Sequence, residues 1–494
     1  MQIKTLLCAL FWVPAVAAAQ TASVAQNAPI SQNALPPQIE SSPLDAPDPG
    51  AVGLLPSSRT GLPATIWLGS NPKTLGDLIR AVDQPVPALR TLMRTLMLAE
   101  ADPPKAGSEG VTHLTNRLDW LMKTGAVDES LALLDIVGVE IPQLFSKWAD
   151  LNLLVGRPDP VCKALLTRPR LSNDFALRIY CTAQSGDWNR AVLILRSAET
   201  LGELSSRDAD LLARFLDPEL HESSPTLLPP VRPTPLEFRL FEALGEPLPT
   251  APLPLPFSVL DLGGDNGWRA QIEAAERLAR NGSLPANRLL GLYTRRQAAA
   301  SGGVWDRVQA LQNFELALER GTPDAIGQTL QEIWPQMRSA RLLVPFAELF
   351  AAQLPYESLK GRAESTAIRA AFLSPNFEEL SRRTGQDTAE IRFLTALARG
   401  EDPGVIDLPD LPHVGPVALG FGDAEMPAAL KDQLDQGRLG EVILRSMALF
   451  ASGAQGNSQD LTDALATFRT LGLEDTARRS ALQLVLLGAE RARQ

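Results

Sequence analysis

Two adjacent glycines ahead of a helical segment form the arrangement in this chain closest to a ligand-binding device. The segment reads Ser301-Gly302-Gly303-Val304-Trp305-Asp306-Arg307. Glycines at a helix start leave backbone N–H groups open to an anion. A phosphate loop also needs a lysine after it and a strand before it, and dinucleotide binding needs a different glycine spacing. Neither condition is met, so the segment reads as a tight turn between helices, with Asp306 near the new helix start. The functional alternative is a docking loop in which Ser301, Gly302 and Gly303 present Trp305 and Arg307. Tryptophan and arginine are enriched where interfaces hold most of their binding energy. Gly263-Gly264-Asp265-Asn266-Gly267 reads as a turn alone.

Catalytic sets are harder to assemble. The nucleophile elbow Gly-x-Ser-x-Gly does not occur. The three histidines, His113, His221 and His413, are far apart in sequence and define neither a Ser-His-Asp set nor a zinc pattern. Exported lytic transglycosylases place a catalytic glutamate before a serine, as Glu357-Ser358 and Glu364-Ser365 do here. The Gly-Leu-Met-Gln type segment that follows in such enzymes is missing. Aromatic content is only 5%, which leaves few rings on which a sugar cleft could stack its substrate. These pairs, like Asp128-Glu129 and Glu378-Glu379, read as solvated helix residues. No catalytic residue, cofactor or metal ligand is assigned.

The amino-terminal residues point to export. Lys4 supplies a positive start, Leu6 to Ala19 is a nearly unbroken apolar run, and Ala17-Ala18-Ala19 offers small residues for signal peptidase. The run is too short to span a bilayer. Cys8 sits too early for a lipidated cysteine and reads as filler in the apolar run. Residues 1–19 are therefore expected to be a cleaved signal, leaving a periplasmic chain without a transmembrane segment. Residues 20–62, rich in Pro, Ser, Gln, Asn and Ala, are expected to be a disordered leader. A net charge of -11 with dispersed arginines argues against nucleic acid.

Helical periodicity dominates the rest. Leu89, Leu92, Met93, Leu96 and Met97 share one helix face, and Pro103-Pro104 stops that element. Trp67, Trp120, Trp148 and Trp188 read as core packing. Gly125, Gly156 and Gly186 lie 31 and 30 residues apart, each ahead of a polar turn and an apolar helix. Self-similarity at that period marks a helical solenoid. Prolines at 225, 229, 230, 233 and 235, then at 247, 249, 252, 254 and 256, mark a linker and an extended strap. The expected fold is all-α: an α-solenoid of antiparallel hairpins in two lobes, 63–218 and 258–494, joined by a proline-rich linker and strap at 219–257.

Gly186-Asp187-Trp188-Asn189-Arg190-Ala191, followed by Leu195 and Ala198, resembles the inter-helix turn and second helix of a tetratricopeptide repeat. Ile179, where a small residue is usual, and Glu203, where a proline is usual, depart from that pattern. The resemblance covers one good unit and two degenerate ones across residues 110–205, and implies a right-handed stack with a concave binding face. In general style, arginine-rich and helical with alanine- and proline-rich straps, the chain resembles exported proteins of GC-rich proteobacteria.

These features lead to a non-catalytic periplasmic protein that scaffolds or regulates an envelope protein assembly, its partner an envelope or periplasmic protein. The alternatives are an enzyme acting on peptidoglycan through an unrecognised site, and a periplasmic chaperone. Beyond Cys8 the cysteines are Cys162 and Cys181. An even pair in an oxidising compartment reads either as a disulfide or as two buried thiols. The repeat resemblance puts Cys162 on the second helix of one hairpin and Cys181 on the first of the next, where the sulfurs could meet. A bridge would stabilise by roughly 3 kcal/mol in chain-entropy terms. Thiol labelling of the denatured, unreduced periplasmic protein is expected to find no free cysteine; two labelled thiols would remove the bridge.

Overall fold

The three glycines spaced along residues 125–186 each end a helix in the same way. In the computed structural model, which describes residues 47–83, 85–104, 108–219, 227–263, 266–298, 300–383 and 387–492, Gly125, Gly156 and Gly186 have φ of 83°, 76° and 88°. The N–H of Gly125 bonds to the Met122 carbonyl (3.0 Å) and that of Ala126 to the Leu121 carbonyl (2.9 Å). Gly156 with Arg157, and Gly186 with Asp187, repeat the pattern one unit on. This double closure satisfies the last carbonyls of a helix and needs a left-handed residue, which glycine adopts without steric cost. The chain then turns back at once. Three hairpins result: Ser108–Lys123 with Val127–Val137, Pro142–Leu154 with Pro158–Thr167, and Phe175–Gln184 with Trp188–Leu201. Arg341 makes the same turn without glycine, at φ 57°.

Successive helices pack on one another, so the hairpins stack in a solenoid-like arrangement. The fold is all-α. Among the described residues the one β feature is an isolated parallel bridge between Leu55 and Ala99. No described helix is long and apolar enough to cross a membrane. The expected signal, Cys8, the leader as far as residue 46, His221, Pro225 and Gly264-Asp265 lie outside the described residues.

The last part of the segment expected to be a disordered leader, residues 47–62, is ordered. Residues 47–62 are folded onto the body, with Val52 and Leu62 buried and a short helix at Ser57–Thr60. The N–H groups of Leu54 and Leu55 both reach the Leu98 carbonyl, at 2.8 and 3.0 Å. The physical reason is Arg117, which is fully buried. Its guanidinium donates to the carbonyls of Met97 (2.8 Å), Val52 (2.8 Å) and Ala99 (3.1 Å). An irregular segment held by one side chain 65 positions away leaves no periodic trace.

The division into two lobes does not appear as a gap in the packing. Residues from Pro47 onward form one unit. The second proline cluster runs against helix Trp268–Arg280, where Arg277 holds the carbonyls of Thr250 (3.1 Å) and Leu253 (2.7 Å). Leu255 and Leu278 crowd Gly125 of the first hairpin, and Ser283 donates to the Thr124 carbonyl. Sequence-distant ends also meet. Helix Glu474–Ala492 packs on Pro87–Leu98, and Leu439–Ala454 packs on Pro72–Ala81. Gln483, buried, accepts the N–H of Ala88 at the start of its helix (2.7 Å). Gly440 donates to the Ile66 carbonyl (2.9 Å).

This seam requires glycine for want of space. A Cβ on Gly440 would lie 2.3 Å from Cε3 of buried Trp67, and one on Gly69 would lie 2.6 Å from the Gly437 carbonyl oxygen. Gly440→Ala is therefore expected to lower stability by about 1–3 kcal/mol, the usual range for overpacking. Urea unfolding of the variant beside the parent chain measures it.

Candidate functional site

Helix Trp188–Leu201 is the best-formed part of the surface open to a partner. Asp187 caps it by accepting the Arg190 N–H (3.2 Å), and Gly202 closes it at φ 71°. Its buried residues are Ala191, Leu195 and Ala198, a stripe at i, i+4 and i+7. Two alanines in three contacts make the stripe narrow, so much of the helix's apolar side chain area stays outside. Trp188 is 46% exposed, Leu193 67% and Leu201 70%, with Val192 also exposed.

Of these four, Val192 alone lines the groove of about 630 Å³ that the helix forms against helix Ser206–Leu216. Val192, Leu195, Leu204, Ala209, Ala213 and Leu216 supply its apolar lining, and Arg196, Glu199, Asp210 and Asp217 its polar margin. The indole of Trp188 lies 5.8 Å from the Phe215 ring, which in turn lies 5.6 Å from the ring of Tyr180. Behind this wall, Cys162 and Cys181 form a disulfide between Pro158–Thr167 and Phe175–Gln184 (Cα–Cα 4.7 Å). A covalent tie therefore holds the hairpin carrying the groove to its neighbour.

The loop singled out from sequence is placed differently from the docking role expected of it. Ser301, Gly302 and Gly303 are exposed, and the Gly302 N–H donates to the Asp306 carboxylate (2.8 Å). Trp305 turns inward against Trp268, with ring centroids 5.0 Å apart. Arg307 reaches Glu276, a carboxylate only 2% exposed, through Nε (2.8 Å) and Nη2 (2.7 Å). Tyr293 donates its hydroxyl to the same carboxylate (2.7 Å), and Arg280 adds a third donor side chain (3.0 Å). Burial, with the Glu276 charge beside it, pushes the Tyr293 phenol well above its usual range. A buried carboxylate needs this full set of donors. Trp305 and Arg307 thus tie helix Val304–Arg320 to helix Trp268–Arg280, leaving Ser301 to Gly303 as the accessible part of the loop.

The other polar candidates remain separate. Ser358 lines a shallow polar groove of about 580 Å³ with Asp324, Gln328, Gln331, Glu332 and Lys360, while Glu357 is solvent-exposed and Glu364 and Ser365 are half-buried on a neighbouring helix. His113 is fully buried and lines neither groove named above. Among the described residues no group of three or more His, Cys, Asp or Glu is arranged to hold a metal. Trp67, Trp120 and Trp148 are buried, whereas Trp188 faces solvent. Its exposure was missed because one amphipathic stripe accounts for a helix's core contacts. The available signal was the surplus of apolar residues in Val192-Leu193-Ile194-Leu195 over what a single stripe uses. No known protein family matches this chain, nor does any curated protein or solved structure.

Asp150, on helix Pro142–Leu154, has its carboxyl pushed up to about 6 by burial and then by the nearby Asp174 charge, against a smaller opposite pull from Lys147. Asp174 itself is occupied in capping the Leu177 N–H (3.1 Å). Because the folded value lies above the unfolded one, the native state binds the proton more tightly between pH about 4 and 6. Stability from this group is highest below that window and is lost as pH rises through it. Asp150→Asn is expected to stabilise by about 1–2 kcal/mol at pH 7.5, after discounting for partial exposure, and by little at pH 4. Denaturant midpoints at the two pH values give the comparison, and equal effects at both would contradict the assignment.

Proposed function

We propose that this chain is a non-catalytic, exported helical-repeat protein that binds and scaffolds or regulates an envelope protein assembly through the groove beside helix Trp188–Leu201. The observation that carries this reading is the groove's apolar lining of Val192, Leu195, Leu204, Ala209, Ala213 and Leu216, with Leu193 exposed on the helix that forms its wall. Solenoid-like stacks offer long surfaces to peptides and helices. Exposed apolar surface beside a polar margin is characteristic of interaction sites rather than of inert surface. Support for export comes from the Lys4 start and the apolar run to Ala19. The chaperone reading draws on the same apolar face and differs in selectivity.

A photo-crosslinker at Leu193 in living cells is expected to join one dominant envelope protein. The double change Val192→Glu with Leu193→Glu should cut that product at least tenfold while leaving thermal unfolding close to the parent, since both side chains are exposed. Many unrelated adducts of unfolded clients would favour the chaperone. Equal yield from the double variant would remove the groove from the function.

A further inference from the structure

The seam that brings residues 66–70 against 437–441 covers a histidine with no polar partner. His113 is wholly buried, and among the described residues neither ring nitrogen has a hydrogen-bond partner. Its ring lies 5.1 Å from that of Trp67, tilted by 59°. Trp67 Nε1 and Ser70 Oγ, in the same segment, are buried and likewise unpartnered. Trp67 thus has His113 on one side and Gly440 on another, close enough that a Cβ at 440 would clash with it. Moving Trp67 to admit water would pull on the Gly440 to Ile66 hydrogen bond and on the Gly69–Gly437 approach.

We propose that a proton on His113 opens this seam, so that closure of the helical stack is sensitive to acid. An imidazolium here would be a buried cation with no acceptor. Among the described residues the charge that acts on it is another cation, Arg117, one turn along helix Ser108–Lys123. Burial first, and then Arg117, hold the imidazole well below its ordinary range. Among the described residues, the anions on the elements packed against this helix are exposed or already have partners. On Pro72–Ala81, Lys73, Asp77 and Arg80 are exposed, and Asp77 binds Arg80. On Pro87–Leu98, Arg90 donates to the Arg280 carbonyl and Arg94 pairs with Glu129 of Val127–Val137, the helix that also carries Asp128 and Asp135. Asp128 is exposed at the first turn, and Asp135 accepts the Trp148 indole N–H at 3.3 Å. On Pro142–Leu154, Lys147 pairs with Asp119, and Asp150 faces Asp174 and Lys147. Across the seam, Glu441 is buried with Oε2 accepting no hydrogen bond among the described residues, and it lies between Arg438 (4.0 Å) and Arg445 (3.9 Å), whose charges balance its own.

The sign follows from linkage. The closed form binds the proton less tightly than the open form, in which water reaches the ring. Closure is therefore fully favoured above pH about 6.5 and loses about tenfold for each pH unit below it, until the closed-state value is reached.

Hydrogen exchange by mass spectrometry on the purified chain, corrected for the intrinsic pH dependence, reads this directly. Peptides covering 62–71 and 436–443 are expected to lose about tenfold in protection per pH unit between 6.5 and 5, while helix Pro323–Ser339 stays protected. His113→Phe should flatten the response, and His413→Gln should leave it intact. Constant seam protection in the parent chain would overturn the proposal, whether or not the phenylalanine variant folds. So would an unchanged slope in His113→Phe or a lost slope in His413→Gln.

Discussion

A single guanidinium, that of Arg117, ties its own helix to two other pieces of backbone. A cation out of water is tolerated only when its donors are used, and the planar fork of arginine lets three separate carbonyls share one charge. Two of them, Met97 and Ala99, belong to the carboxyl end of helix Pro87–Leu98, where orphan carbonyls and the helix dipole both favour a cation. The third, Val52, belongs to a segment without helical pattern. Burial lowers the Arg117 pKa to about 10, which still leaves it charged at neutral pH. With Arg117 in place, helix Ser108–Lys123 is locked in rotation. That rotation puts His113 under Trp67 and Trp67 against Gly440, so the seam where residues 66–70 meet helix Leu439–Ala454 rests on the same side chain.

Away from the seam the architecture is repetitive, and its surface follows from how each helix is used. A helix in a stack has neighbours on its two flanks and solvent or ligand on the rest. Trp188–Leu201 meets its neighbours through alanines at 191 and 198 and leucine at 195, which bring adjacent backbones close without using its larger residues. Val192, Leu193 and Leu201 stay largely outside, while Trp188, about half exposed, also packs on Phe215. An exposed apolar face of this kind is a product of close helix approach and of the disulfide that holds the hairpin behind it.

The cluster around Glu276 shows why residue type is a poor guide to placement. Tryptophan and arginine are common at interfaces because one offers a large flat surface and the other a forked donor. Those same properties suit an internal anchor. Trp268 and a carboxylate 31 positions earlier supply partners for Trp305 and Arg307, and four side chains then satisfy one buried network. The two exposed glycines before them serve the turn.

Much of this protein is determined locally. Helical periodicity, the glycine turns at 125, 156 and 186, and the proline clusters specify an all-α stack, because helix formation and its termination depend on residues within a turn or two of each other. The apolar surplus on residues 192–195 was legible in the same way, although its exposure was not. Tertiary structure alone decided that residues 47–62 pack on the body, that the stack closes through Ile66 with Gly440 and Ala88 with Gln483, that Arg307 faces inward, and that His113 is sealed with no partner among the described residues. Each of these rests on one or two polar atoms or a missing Cβ meeting a partner distant in sequence. Contacts of that kind carry no period, so only the packed chain reveals them.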